Sequence, residues 1–297
     1  MPSSTLIRLP FFRIIRALLV TLAAVLLGAC SMVRLGYDQL PSLTYWWLDS
    51  YLDLNDAQSV ALRRDLEALH SWHRSQELPQ LAKLLASLQT QALQDTTPQF
   101  TCQVVDQLKA HLQGVLTQAE PGLATLVRQL TPAQMQHLAH QLDKREQAWR
   151  EEWAQISPAK LAKRRAERLI ERSESFYGRL SDAQRSLLTN SVLANPYDVA
   201  QAEAEMLRRH QDLRQTLQAL AQGGDSASQA QARLHGLQQR LLDSPNASYR
   251  TQIAAFTQAN CATFAQLHNS TSPAQRQQLV SRLQAYELDL RTLSAPR

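Results

Sequence analysis

Glycine is scarce, with 8 in 297 residues, and isoleucine and valine together number only 17 against 50 leucines. A chain so poor in β-branched residues and in turn glycines does not build sheets, so the composition points to an all-α fold. Three cysteines and no C-x-x-C leave no dithiol for redox catalysis and no zinc knuckle. There is no G-x-S-x-G, no glycine-rich phosphate loop and no H-E-x-x-H, so none of the motif-borne catalytic chemistries is signalled. Nor is there a hydrophobic run of the roughly 20 residues that a bilayer-spanning helix needs. What is present is 44% hydrophobic residues, enough for a core and too many for a collagenous, mucin-like or disordered chain.

The first 30 residues carry a second pattern. Arg8, Arg13 and Arg16 precede an apolar run at 17–27, and no acidic residue interrupts them. These are the proportions of a secretory signal peptide. The run closes on Leu27-Gly28-Ala29-Cys30, which resembles the lipobox of bacterial lipoproteins. That resemblance implies cleavage of residues 1–29 and a diacylglycerol and an acyl chain on Cys30. By resemblance to enterobacterial lipoprotein sorting, Ser31 rather than Asp after the cysteine implies the outer membrane. The alternatives are an uncleaved anchor or an ordinary signal with an incidental cysteine. Loss of the three arginines leaves 28 basic against 26 acidic side chains, about +2 in place of +5, which removes most of the case for a nucleic-acid partner.

Cys102 and Cys261 then remain. In an oxidising compartment they read as a possible disulfide closing a loop of 159 residues, worth about 5 kcal/mol by chain entropy. The alternative is two separate buried thiols.

From Asp56 onward, leucine stripes recur at helical spacing, as in Leu81, Leu84, Leu85 and Leu88, or Leu279, Leu283, Tyr286 and Leu290. Breaks are expected near Pro98, Pro121-Gly122, Pro158, Pro196, Gly223-Gly224 and Pro245. Four helix starts share one signature: a capping residue followed three positions later by glutamine. They are Asn55/Gln58, Thr131/Gln134, Ser181/Gln184 and Ser272/Gln275. In such a box the cap oxygen accepts the N3 backbone N–H and the glutamine reaches back to the cap's own N–H. The residues between alternate Asp-Ala, Pro-Ala, Asp-Ala, Pro-Ala, as if a two-motif unit occurred twice, although the offsets of 126 and 141 residues differ.

Leu130-Thr131-x-x-Gln134 and its relatives resemble the LTxxQ motif of small periplasmic chaperones of the Spy and CpxP type. That likeness implies a helical cradle holding unfolded clients. Over more of the chain, the Cys30 ending, Tyr37, Trp46-Trp47-Leu48-Asp49-Ser50-Tyr51, Gln58, Trp72-His73-Arg74 and Glu77-Leu78-Pro79 are similar to an uncharacterised family of proteobacterial lipoproteins. This implies export and helical structure and supplies no catalytic residue.

Several features invite a functional reading beside a structural one. The cluster Tyr45, Trp46, Trp47 and Tyr51 suits a membrane interface, but helical spacing favours a plug at one end of the core. His70/His73 and His137/His140 each form H-x-x-H, candidate metal pairs that need further ligands and otherwise face solvent. Trp149 and Trp153, four apart, are expected to anchor the core. Lys160, Lys163, Arg164, Arg165, Arg168 and Arg172 make a basic row for an anionic partner, yet interleaved Glu167, Glu171 and Glu174 favour a salt-bridged face.

The sequence thus leads us to expect about nine or ten amphipathic helices over 37–293, with 37–178 and 179–293 as candidate similar halves, following a signal at 1–29 and a linker at 30–36. The expected role is lipid-anchored, periplasm-facing binding of unfolded or envelope proteins, without catalysis, cofactor or nucleic acid. The competing roles are a structural scaffold of an envelope complex and a metal-dependent factor using the histidine pairs.

Overall fold

The computed structural model describes residues 33–195 and 197–295. The expected signal and Cys30 lie outside the described residues. A helical stretch at 33–38 leads into α1 (Leu40–Leu52), followed by α2 (Asp56–Trp72), α3 (Leu78–Gln91), α4 (Pro98–Val127), α5 (Pro132–Trp149) and α6 (Pro158–Tyr177). Then come α7 (Asp182–Ala194), α8 (Val199–Ala221), α9 (Ala227–Leu242), α10 (Ala247–Asn269) and α11 (Pro273–Ser294). Two π-helical segments, His73–Glu77 and Arg150–Ala154, continue α2 and α5 beyond their last turns. No strand occurs among the described residues, and the architecture is an all-α, multi-helix domain. No helix among them is long and apolar enough to cross a membrane.

Polar caps start most of these helices. Asn55, Thr131, Ser181 and Ser272 each accept a hydrogen bond from the N3 backbone, and the side chains of Gln58, Gln134, Gln184 and Gln275 accept one in return from the cap's own N–H. Ser226/Gln229 forms a fifth box at α9, built on Ser-Ala-Ser-Gln without the Ala-Gln signature of the others. Thr97, Ser157, Asp198 and Asn246 cap α4, α6, α8 and α10 through the side chain alone.

One expected break is not a break. α4 runs unbroken through Pro121-Gly122. Proline there leaves the Thr117 carbonyl without its i+4 donor, and α9 holds this stretch of α4 from outside the ladder. Gln238 Nε2 of α9 donates to the Leu116 carbonyl at 3.0 Å, and buried Glu120 accepts from His235 Nδ1 at 2.7 Å. Gly122 is required by proximity: a Cβ there would stand 2.9 Å from Asp65 Oδ2 on α2.

The buried leucines fall into two cores. The first gathers Leu52, Leu62, Leu126, Leu138 and Leu142 with Leu217, Leu220 and Leu234 of α8 and α9. The second gathers Tyr177, Leu180, Leu188, Leu267, Leu279 and Leu283 with Ala92 after α3. The cores therefore do not divide between residues 178 and 179. α8 and α9 cross back to the first core, while α3 lies along α11 in the second. Cys102 of α4 and Cys261 of α10 are joined in a disulfide, with Cα atoms 5.6 Å apart.

The tryptophan pair of α1 is a correction to the core-plug reading. Trp46 and Trp47 are 61% and 60% exposed, because α1 turns Pro41, Tyr45 and Leu52 inward and the intervening positions outward. Trp149 and Trp153 are half-buried rather than core anchors, Trp153 lying beneath the Arg168 guanidinium.

Candidate functional site

The four signature glutamines meet in pairs. Gln58 Nε2 donates to Gln134 Oε1 at 3.2 Å and to the Gln129 carbonyl at 2.9 Å; Gln134 Nε2 donates to Gln58 Oε1 at 2.7 Å and to the Asp53 carbonyl at 2.9 Å. Gln184 and Gln275 repeat this arrangement: each Nε2 reaches the partner's Oε1 at 3.0 Å, and the carbonyls of Ser270 and Arg179, also at 3.0 Å. In all four cases the carbonyl lies five residues before the partner glutamine. Each Oε1 also accepts its own cap's N–H, so every polar group of these amides is satisfied. The result is two locally two-fold joints, each fastening one helix start to another.

Beside the second joint the packing opens. A cleft of about 550 Å³ runs between α3, α4, α6, α10 and α11, within the roughly 300–1,000 Å³ typical of small-molecule sites. Its walls are the leucine stripes read from the sequence: Leu84 and Leu88 of α3, Val104 and Leu108 of α4, Leu283 and Leu290 of α11. Aromatic rings of Phe176, Tyr177 and Phe264 line it too, and the Cys102–Cys261 bond ties α4 to α10 beside it.

The polar groups of the floor are satisfied. Because a carbonyl only accepts, His268 Nε2 carries the proton donated to the Gln94 carbonyl at 2.8 Å, and Nδ1 accepts from the Tyr177 hydroxyl at 2.9 Å. Burial holds the His268 imidazole below its ordinary range and the Tyr177 phenol above it. Both side chains are thus neutral at pH 7 and serve the lining as shaped, uncharged surface.

The basic row separates on folding. Arg164 donates to the Glu152 carbonyl, Arg168 pairs with the Glu152 carboxylate, Lys163 lies 3.9 Å from Glu167, and Arg165 reaches the Asn195 carbonyl beside the rings of Tyr197 and Phe256. Arg172 differs. It lines the cleft, is exposed, and makes no ion pair among the described residues.

The histidine pairs stand apart from the cleft and from each other, and neither assembles the site that its spacing suggests. His73 Nδ1 lies 2.7 Å from the Tyr37 hydroxyl, whose ring also packs on His70 at 4.7 Å. Burial pushes both imidazoles down and the Tyr37 phenol up to about 12. In the second pair the two rings part company. His137 donates through Nε2 to the Ser50 carbonyl at 3.0 Å, whereas His140, one turn along α5, is exposed and makes no hydrogen bond among the described residues. Among those residues no group of three or more His, Cys, Asp or Glu gathers to hold a metal ion. Among the described residues neither His70/His73 nor His137/His140 gains the further ligands that two imidazoles need.

The family model of the DUF6279 family of unknown function matches residues 50–250. The chain belongs to that family. Comparison with curated proteins and with solved structures gives no match. The matched span holds three of the four paired glutamines and much of the cleft, while Gln275 and α11 follow it.

As caps the glutamines are legible in the sequence; their pairing is not read there. The alternation of Asp-Ala-Gln with Pro-Ala-Gln is the available signal, since each joint takes one of each kind. The cleft leaves no sequence trace, because a leucine stripe reads alike whether it meets another helix or a void.

Proposed function

We propose that this chain is an exported protein, anchored to the outer membrane by lipid on Cys30 and facing the periplasm, that holds the apolar part of another molecule rather than catalysing a reaction. The observation that carries the reading is the cleft: about 550 Å³ of space lined almost wholly by leucine, valine and aromatic carbons. Interiors pack tightly, and apolar surface left facing solvent costs about 0.8 kcal/mol per unburied methylene, so a guest that fills the cleft is favoured by burial alone.

The placement of α1 supports membrane attachment. Its exposed Leu40, Leu43, Trp46 and Trp47 begin ten residues after Cys30 and form an outer surface of indoles and leucines, the side chains that favour the bilayer interface. Labelled fatty acid incorporated into the wild type and not into Cys30→Ala tests the anchor.

Binding is tested with Nile red, an uncharged dye, on the chain from Ser31 to Arg297, which contains every described element. Saturable binding of one dye per chain, lost in Val104→Trp with helicity retained, supports the reading. Absence of binding overturns it. A second reading, chaperone-like holding of unfolded segments, is favoured by Leu108 and Leu112, which carry the apolar face of α4 from the cleft to the surface. Suppression of client aggregation at stoichiometric ratio, competed by Nile red, is its signature.

A further inference from the structure

The cleft contains one feature that a purely apolar guest does not require. Among the described residues that line it only Arg172 carries a fixed charge, and that guanidinium makes no ion pair among the described residues, while Lys163, Arg164, Arg165 and Arg168 of the basic row are engaged by Glu167, Glu152, Asn195 or aromatic rings. Arg172 sits one turn before Phe176, which packs against Tyr286 of α11 at a ring separation of 6.3 Å, so the charge stands where α6 and α11 border the opening. Farther along α6, Tyr177 is buried and hydrogen-bonded to buried His268 of α10, and both are neutral. The cleft is therefore polarised, with neutral aromatic and leucine surface deep inside and a free cation at its edge. A guanidinium presents a planar fork suited to the two oxygens of a carboxylate or phosphate.

We propose that the cleft binds a single-chain anionic amphiphile, its hydrocarbon tail along the leucines of α3, α4 and α11 and its carboxylate or phosphate on Arg172. This rests on the reading of the cleft as a binding site and adds the class of guest. Charge complementarity selects the head group and the half-enclosed apolar slot selects a single chain. The shared chemistry is an anionic head on one acyl tail, whether a free fatty acid or a lysophospholipid supplies it.

The test is displacement of Nile red from the Ser31–Arg297 chain by palmitate, by a lysophosphatidylglycerol, and by hexadecanol as the uncharged control. Palmitate or the lysolipid is expected to displace the dye at concentrations about tenfold lower than hexadecanol. The stronger of the two identifies the head group. Arg172→Gln, an exposed change that leaves the core intact, is expected to erase the difference while Nile red still binds. Equal displacement by charged and uncharged chains, or a preference that survives Arg172→Gln, overturns the assignment of Arg172 and leaves the apolar cleft standing. Failure of Nile red to bind any variant overturns both.

Discussion

The two glutamine joints use the same bonds in different settings. At the first, Gln58 and Gln134 are both buried, and the surrounding leucines of α2, α4, α5, α8 and α9 close into a continuous core. At the second, Gln184 is buried, Gln275 is half-exposed, and of the two helices that leave the joint α11 lines the cleft. A joint of this kind therefore fixes where two helices begin and leaves free how their stripes are used farther along. In the first region the stripes are consumed by each other. In the second they face an open cleft, and a disulfide takes over part of the holding.

The largest effect that separates the two regions is expected from the disulfide. Cys102→Ser with Cys261→Ser removes a loop closure worth about 5 kcal/mol by chain entropy, and native-state hydrogen exchange is expected to show the loss around α10 and α11 before α2 and α5. Uniform loss of protection across both cores would erase the distinction between them.

Next comes the joint itself. Gln58→Ala strands the Gln129 carbonyl and half of the Gln134 amide in a buried site, and is expected to cost about 3 kcal/mol in urea unfolding. Gln184→Ala is expected to cost less, since half-exposed Gln275 regains water. In double-mutant cycles, Gln58 with Gln134 should show coupling of about 1–3 kcal/mol, and additive losses would mean that the amides are caps and nothing more.

A pH dependence distinguishes the floor of the cleft. Burial depresses the folded-state pKa of His268, so the unfolded chain binds the proton more readily. Stability is then flat above the ordinary histidine value of about 6.5 and declines as pH falls below it. His70 and His73, also depressed by burial, contribute the same sign on the first-core side. His268→Gln should flatten part of the decline and leave the rest. A further loss at lower pH is expected from Glu205: burial opposes its ionisation, but hydrogen bonds from Arg208, Arg209 and Ser244 bring it down to about 2, so its contribution disappears as pH falls from about 4.5 toward 2.

The smallest effect belongs to the fifth capping box. Gln229 is exposed and meets no partner glutamine among the described residues, so Gln229→Ala should cost no more than about 1 kcal/mol and couple to none of the four paired residues. A loss as large as that of Gln58→Ala would show that capping, and not pairing, accounts for the joint.

Helices and their starts are legible in the sequence because their determinants are local: a cap, a glutamine at N3 and a leucine period act within a few residues. Pro121 is not, because Gln238 and His235, more than a hundred positions away, support the helix it would otherwise interrupt. Trp46 and Trp47 mislead because helical spacing gives a face without saying whether another element covers it. The H-x-x-H pairs mislead for a related reason: spacing puts His137 and His140 on one side of α5, but the fold gives Ser50 to the first and solvent to the second. Arg172 cannot be told from Arg168 in sequence, since only the fold decides which arginine finds Glu152.

Methyl NMR of the Ser31–Arg297 chain titrated with hexadecanol compares the two cores within one experiment. Shifts are expected at Leu84, Leu88, Val104 and Leu283, with Leu62, Leu138, Leu142 and Leu234 unmoved. Equal shifts in both cores, or shifts confined to Leu40 and Leu43 on α1, would contradict the claim that the second region is open to a guest and the first is closed.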